Sequence, residues 1–192
     1  HLVTFLFAAI FLYILESERW GGDLRSQKRL WLLPVIMILW VNSHGGFAVG
    51  FILCAIYAIS RLAAWLWHGE LFIHVKGILK NPGGLRMPDY WLFWVCLALM
   101  LSACINPSGA EILAYPFKTV TIAALQEYIQ EWQSPNFHQL SVQPFIWMIL
   151  ALIAAAGISR RRMALTDFLL ISVFGYMGFL AGRNLALFAL VA

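Results

Sequence analysis

The chain has 192 residues, 62% of them hydrophobic and 11% charged, with a formal net charge of +4. Soluble domains carry roughly a quarter charged residues, so this composition excludes an ordinary globular domain and points to an integral membrane protein. The positive balance needs no nucleic-acid partner, because basic loops lying on anionic lipid account for it.

Apolar blocks fall near residues 2–15, 30–42, 46–67, 90–105, 145–158 and 167–182, with a stub at 185–192. They lack the two-residue alternation of an outer-membrane barrel, and helices satisfy the backbone of such segments internally. The expected fold is therefore all-α membrane: a polytopic helical bundle of about six spans plus a partial seventh. Residues 1–192 read as a single transmembrane domain. The chain starts at His1 and stops inside an apolar run, so it reads as a fragment of a longer protein, truncated at both ends. Leu2 to Leu15 lacks the basic leader and cleavage site of a signal peptide and reads as the tail of a membrane helix.

Basic residues set the orientation. Of thirteen Lys and Arg residues, ten lie in alternate loops: Arg19, Arg25, Lys28 and Arg29; Lys76, Lys80 and Arg86; Arg160, Arg161 and Arg162. Short loops rich in Lys and Arg stay cytoplasmic, so Asn42–His44, the segment Asn106 to Pro144, and Arg183–Asn184 all fall on the outer side.

The first outer turn, Asn42-Ser43-His44-Gly45-Gly46, is a polar break in an apolar run from Leu30 to Ile59. Polar groups at membrane depth are costly unless they face protein or water, so Asn42 and His44 are candidate site residues. His44 suits a proton acceptor, a metal ligand or a hydrogen-bond donor, and equally a turn histidine bonded to backbone. Asn106-Pro107-Ser108-Gly109 ends the fourth span with turn chemistry. From Phe117 to Trp132, apolar residues recur at spacings of three and four, which predicts an amphipathic helix lying along the outer interface. On it Glu131 is the candidate base, acid or substrate contact, with Trp132 beside it. His138 follows the Ser134-Pro135 break.

Arg183 interrupts the last apolar stretch. A permanently charged guanidinium there either clamps a phosphate or carboxylate or reaches to the headgroup region along its own stem. Asn184 adjoins it, and the segment reads equally as one long helix or as two helices broken at Gly182-Arg183-Asn184. Gly46/Gly50 and Gly178/Gly182 have the spacing of close helix packing.

Cys54, Cys96 and Cys104 form no Cys-x-x-Cys pair and read as small buried hydrophobes. Two dispersed histidines and one carboxylate make a poor metal site, so no metal and no cofactor is expected. No phosphate-binding Gly-rich loop, His-Glu-x-x-His or Gly-x-Ser-x-Gly motif occurs.

The runs Leu39-Trp40-Val41-Asn42-Ser43-His44-Gly45-Gly46-Phe47, Asn106-Pro107-Ser108-Gly109, Ile129 to Phe137 and Arg183-Asn184-Leu185-Ala186-Leu187-Phe188-Ala189 together resemble a family of bacterial polytopic membrane proteins. That family is similar to the membrane glycosyltransferases that use lipid-phosphate-linked sugars, the protein mannosyltransferase-like group. The resemblance implies a multi-pass protein of the bacterial inner membrane, with an outer-face site under an interfacial helix. Its donor substrate would be a polyprenyl-phosphate sugar, and its partners the bilayer and that lipid-linked sugar. Arg183 would hold the donor phosphate. Asn42 and His44 would line the pocket at the membrane edge, and Glu131 and Trp132 would meet sugar or acceptor; Asn106, His138 and Asn184 fall on the same outer face and are further candidate substrate contacts. Such transferases place their acidic residue in the first outer loop. No residue here occupies one, so the main acid or base is expected upstream of His1, or else this family lacks it. The rival readings are a transporter or flippase, which would show polar residues at span centres, and a non-catalytic membrane scaffold.

Overall fold

The computed structural model describes residues 2–21, 24–75, 90–122, 127–160 and 163–192. Among them every regular element is helical, so the fold is all-α. The inner-loop expectations at Lys76, Lys80, Arg86, Arg161 and Arg162 lie outside the described residues, as do Ala124, Leu125 and Gln126 of the expected interfacial helix.

The helices are α1 (Leu2–Gly21), α2 (Leu24–Arg29), α3 (Leu32–Ser43), α4 (Ala48–Val75), α5 (Tyr90–Ala103), α6 (Tyr115–Val120), α7 (Gln143–Ile158), α8 (Leu165–Leu180) and α9 (Leu185–Val191). Each apolar block of the sequence has become a helix. Among the described residues one helical stretch, Gly45–Leu66, is long and apolar enough to cross a membrane. The apolar helices α3, α5, α7 and α8 have 12, 14, 16 and 16 residues. At 1.5 Å per residue they run only about 18–24 Å. Near the end of α3 polar side chains bond back onto the preceding turn: Asn42 Nδ2 donates to the Ile38 carbonyl at 2.8 Å and Ser43 Oγ to that of Leu39 at 2.6 Å. Ser102 does the same to Ala98 in α5.

Trp40 of α3, fully buried, is the centre of packing. Its ring stacks on Phe7 at 5.5 Å and meets the edge of Phe11 at 5.3 Å. Gly50 of α4 lies against this group because nothing larger fits. A Cβ there would sit 2.9–3.0 Å from Met37, Phe11 and Trp40. A second aromatic group joins α7, α8 and α9. Phe145 lies 5.1 Å from both Phe179 and Phe188, and Phe137 packs on Phe145 and Phe179. Gly178 makes room for it, since a Cβ would come within 2.8 Å of Phe145. Phe137 thereby fastens the 129–142 segment to the helices.

Two departures from the sequence expectations matter. The first apolar block was expected to end at Leu15 and give way to a basic loop, yet α1 continues to Gly21 and carries Glu16, Glu18 and Arg19 on its last turns. They survive inside a helix because they are paired. Arg19 grips Asp167 of α8 with both guanidinium nitrogens, at 2.5 and 2.9 Å, and also reaches Glu16 at 3.0 Å. Arg61 of α4 pairs with the buried Glu18, and the Tyr57 hydroxyl donates to Glu16. The second departure corrects the expected interfacial helix over Phe117–Trp132, which is not continuous. α6 ends at Val120, Ile129 is extended, and Gln130–Trp132 is a single 3₁₀ turn. The physical reason is the run Thr119-Val120-Thr121-Ile122. Its β-branched side chains are poor helix formers, and the Thr119 and Thr121 hydroxyls bond the carbonyls of Tyr115 and Lys118 instead.

Candidate functional site

Two turns of similar backbone build the site. In the first, α3 stops at His44, which is extended at φ −159° and ψ 139°, and Gly45–Phe47 forms a 3₁₀ turn leading into α4. In the second, α8 stops at Ala181, extended at φ −151° and ψ 131°, and Gly182–Asn184 forms a 3₁₀ turn leading into α9. The open alternative for the last apolar stretch is thus resolved as two helices. In both turns the extended residue donates its N–H to the carbonyl four residues back, Trp40 and Met177 respectively.

At the first turn, His44 Nδ1 accepts the Gly46 N–H at 3.0 Å and lies 2.9 Å from the hydroxyl of Thr4, a buried residue on the first turn of α1. The Tyr115 ring covers Gly45 so closely that a Cβ there would sit 2.8 Å from it. Burial, and then the nearby Arg183 charge, hold the His44 imidazole below its ordinary pKa, which favours the neutral ring.

At the second turn, the Arg183 guanidinium lies on the Trp132 ring, 3.2 Å from its centroid. Partial burial works against its charge and the Glu131 carboxylate supports it. The Gly182 N–H donates to the Gln133 carbonyl at 3.1 Å, which ties the 129–142 segment to the turn. Between them opens a cleft of about 650 Å³, lined by Gln130, Glu131, Gln133, Ser134, Asn136 and Gln139, with Gly182 and Leu185 among its walls. A guanidinium carries N–H groups in a planar fork that can bind carboxylate or phosphate in two parallel bonds.

Of the sequence candidates, the structure lays Arg183 on Trp132, with the Glu131 carboxylate supporting its charge and His44 within reach of that charge. It gives the others different work. Asn42 Nδ2 bonds the carbonyls of Ile38 and Ile105 and ties α3 to the end of α5. Asn106 closes its own turn, donating to Ala103 and Gly109 and accepting from the Ser108 N–H. Asn184 Nδ2 donates to Met177 and caps α8. The exposed His138 follows Asn136, whose side chain accepts the His138 backbone N–H. In this structure Asn42, Asn106 and Asn184 thus hold turn and helix-end carbonyls, and His138 is exposed and outside the residues that line the cleft. Sequence reasoning missed Thr4 and Tyr115. Among the described residues no three His, Cys, Asp or Glu side chains gather as a metal-binding group.

No protein-family model matches the chain, and no curated protein or solved structure is detectably similar to it.

Proposed function

We propose that the chain is the membrane-embedded part of a protein that takes a polyprenyl-phosphate sugar at the end bearing Arg183, and that it is a glycosyltransferase of the lipid-phosphate-sugar type. The single observation that carries this reading is the Arg183 guanidinium laid on Trp132 at the turn that walls a cleft shared with Glu131. Placement in a membrane has its own support. Large apolar side chains stand exposed all along the helices, among them Leu6, Leu39, Ile59, Phe93, Leu101 and Ile153. Water would penalise such a surface and lipid would not. Exposed Trp20, Trp65 and Trp91 of α1, α4 and α5, with Trp31 at the N-cap of α3, stand toward the end bearing the Arg19–Asp167 pair, the position of an interfacial aromatic belt. Thr4 and Arg19 bound the two polar ends about 22 Å apart along α1.

The reaction is an inverting displacement. The acceptor hydroxyl gives its proton to a carboxylate as its oxygen bonds the anomeric carbon. The carbon–oxygen bond to phosphate breaks with its electron pair, and polyprenyl phosphate departs with the charge that Arg183 meets. Glu131, which lines the cleft and supports the Arg183 charge, is the carboxylate placed for that work. Binding is tested first. A polyprenyl-phosphate hexose at a hundredfold excess over Kd should raise the melting temperature of the detergent-solubilised protein by about 5–10 °C, and Arg183→Ala should remove most of the rise. No rise across several donors with a folded protein would end the reading. Release of the chain from vesicles by alkaline carbonate would end its membrane part.

A further inference from the structure

At the end opposite Arg183, the short helix α2 is divided into two sides. At about 100° per residue, Ser26, Gln27 and the following Leu30 share one side, and all three are buried. Leu24, Arg25, Lys28 and Arg29 share the other, where Leu24, Arg25 and Lys28 are exposed and Arg29 is half-buried. The buried side therefore fixes which way the cations face. None of the three takes part in an ion pair among the described residues. The carboxylates of α1 and of the start of α8 are already engaged: Glu16 with Arg19, Tyr57 and Trp20, Glu18 with Arg61, and Asp167 with Arg19. From Trp20 to Leu32 the sequence holds these three cations and one acid, Asp23, which lies outside the described residues. Two tryptophans flank the cations, and each is held in place. Trp20, 76% exposed, donates its Nε1–H to Glu16 at 2.5 Å and lies 5.1 Å from the Arg19 guanidinium, while Trp31 sets its ring edge-on to Trp91 at 6.3 Å.

We infer that the outer side of α2, between Trp20 and Trp31, binds the phosphodiester headgroups of anionic phospholipids in the leaflet at that end. This rests on the membrane placement of the chain and is independent of a phosphate site at Arg183. Cations without a protein counter-charge supply the attraction, which is strongest against a negatively charged leaflet. Arg25 and Arg29 stand one helical turn apart, so two guanidinium forks border the same patch, with Lys28 beside them. The exposed Leu24 and the two tryptophans point to a lipid rather than a free anion, because apolar and amphipathic side chains settle at headgroup depth and do nothing for an ion in water. Any basic loop draws anionic lipid to some degree. What sets α2 apart is that its cations are presented together by a helix whose other side is anchored in the protein.

The test mixes the full chain in detergent with equal amounts of phosphatidylglycerol and phosphatidylcholine of matched acyl chains and counts the retained lipid by native mass spectrometry. Wild type should retain phosphatidylglycerol about tenfold over phosphatidylcholine at low salt, and the preference should shrink toward parity in about 0.5 M NaCl. Arg25→Gln, Lys28→Gln and Arg29→Gln together should bring it within about twofold of parity, and Arg25→Gln with Lys28→Gln, at two exposed positions that the fold does not need, should already lower it to about threefold. Arg160→Gln, Arg161→Gln and Arg162→Gln make the same change of charge in another basic loop and should keep it at about fivefold or more. Arg183→Ala should leave it intact. Equal retention of the two lipids by wild type would overturn the inference. So would equal losses in the two triple variants, since the attraction would then belong to basic loops in general. Displacement of phosphatidylglycerol by millimolar inorganic phosphate, beyond that caused by NaCl of the same ionic strength, would also overturn it and assign the patch to free anions. Release of the chain from vesicles by alkaline carbonate would end the membrane reading and this inference with it, whereas equal lipid retention by a chain that carbonate leaves in the vesicles would end this inference alone.

Discussion

The turns at His44–Phe47 and Ala181–Asn184 have similar backbones and opposite uses of their side chains. Each follows an extended residue whose N–H closes the preceding helix, and each enters the next helix through a 3₁₀ turn. In the first, the polar side chain is spent inward, with His44 locked between the Gly46 amide and Thr4 and the turn roofed by Tyr115. In the second, the polar side chain is displayed, with Arg183 laid against Trp132 beside an open cleft. Similar backbone geometry therefore says nothing about the task of a turn. What separates the two is how closely a neighbouring element approaches the glycine.

That contrast can be broken by substitution, and the largest effect is expected at the glycines. Gly46→Ala puts a methyl group into Thr4 and should cost about 3 kcal/mol or prevent folding altogether. Gly182→Ala, whose methyl would come no nearer than 3.9 Å to the Glu131 carbonyl, should change stability by less than about 0.5 kcal/mol. Thermal unfolding of the two variants in the same detergent decides it, and equal losses would refute the difference in packing. Next comes Arg183→Ala, which forfeits the contact with Trp132 and should destabilise by about 1 kcal/mol while abolishing phosphate binding. Arg183→Lys should keep the charge and still lose most of the affinity, because a point charge cannot make the two-pronged bond.

A smaller effect follows from pH. The folded His44 pKa lies below its unfolded value near 6.5, so the unfolded chain takes up the proton more readily. The stability held by its hydrogen bonds is complete above about pH 6.5 and declines as pH falls toward the folded value. Melting curves between pH 8 and 5.5 should show this decline in the wild type and a flatter profile in His44→Asn. The smallest effect is expected from His138→Ala, at an exposed position off the cleft wall. It should alter stability by less than about 0.5 kcal/mol and leave farnesyl phosphate binding unchanged; a clear loss of binding would return His138 to the site.

Much of this architecture was legible in the residues themselves. Every apolar block became a helix, and the polar interruptions at Asn42–His44 and Gly182–Asn184 became the two turns. Arg183 and Trp132 were both expected at one end, but their contact shows only in the fold. What escaped was whatever depends on a partner far along the chain. Thr4 reads as an unremarked member of an apolar run, and only the fold brings it to His44, 40 residues away. Glu16 and Arg19 resemble loop residues because charges usually mark the ends of apolar segments, yet Asp167 pairs with Arg19, and Arg19 and the Tyr57 hydroxyl bond Glu16 within the helix. The three-and-four periodicity of Phe117–Trp132 was genuine and still misled, since a run of β-branched residues outweighs an apolar stripe in so short a segment.

The Arg19–Asp167 pair joins positions 148 apart in the chain, and this sets an order of assembly. A ribosome delivers α1 long before α8 exists, so until α8 arrives Glu16 is the nearer carboxylate to Arg19. The entropy of closing so long a loop is met only when α8 docks, and that docking is expected among the late steps of folding. Arg183 stands at the far end of the same helix. Its contact with Trp132 likewise waits until the turn after α8 has been made, so both ends of α8 are completed late in synthesis.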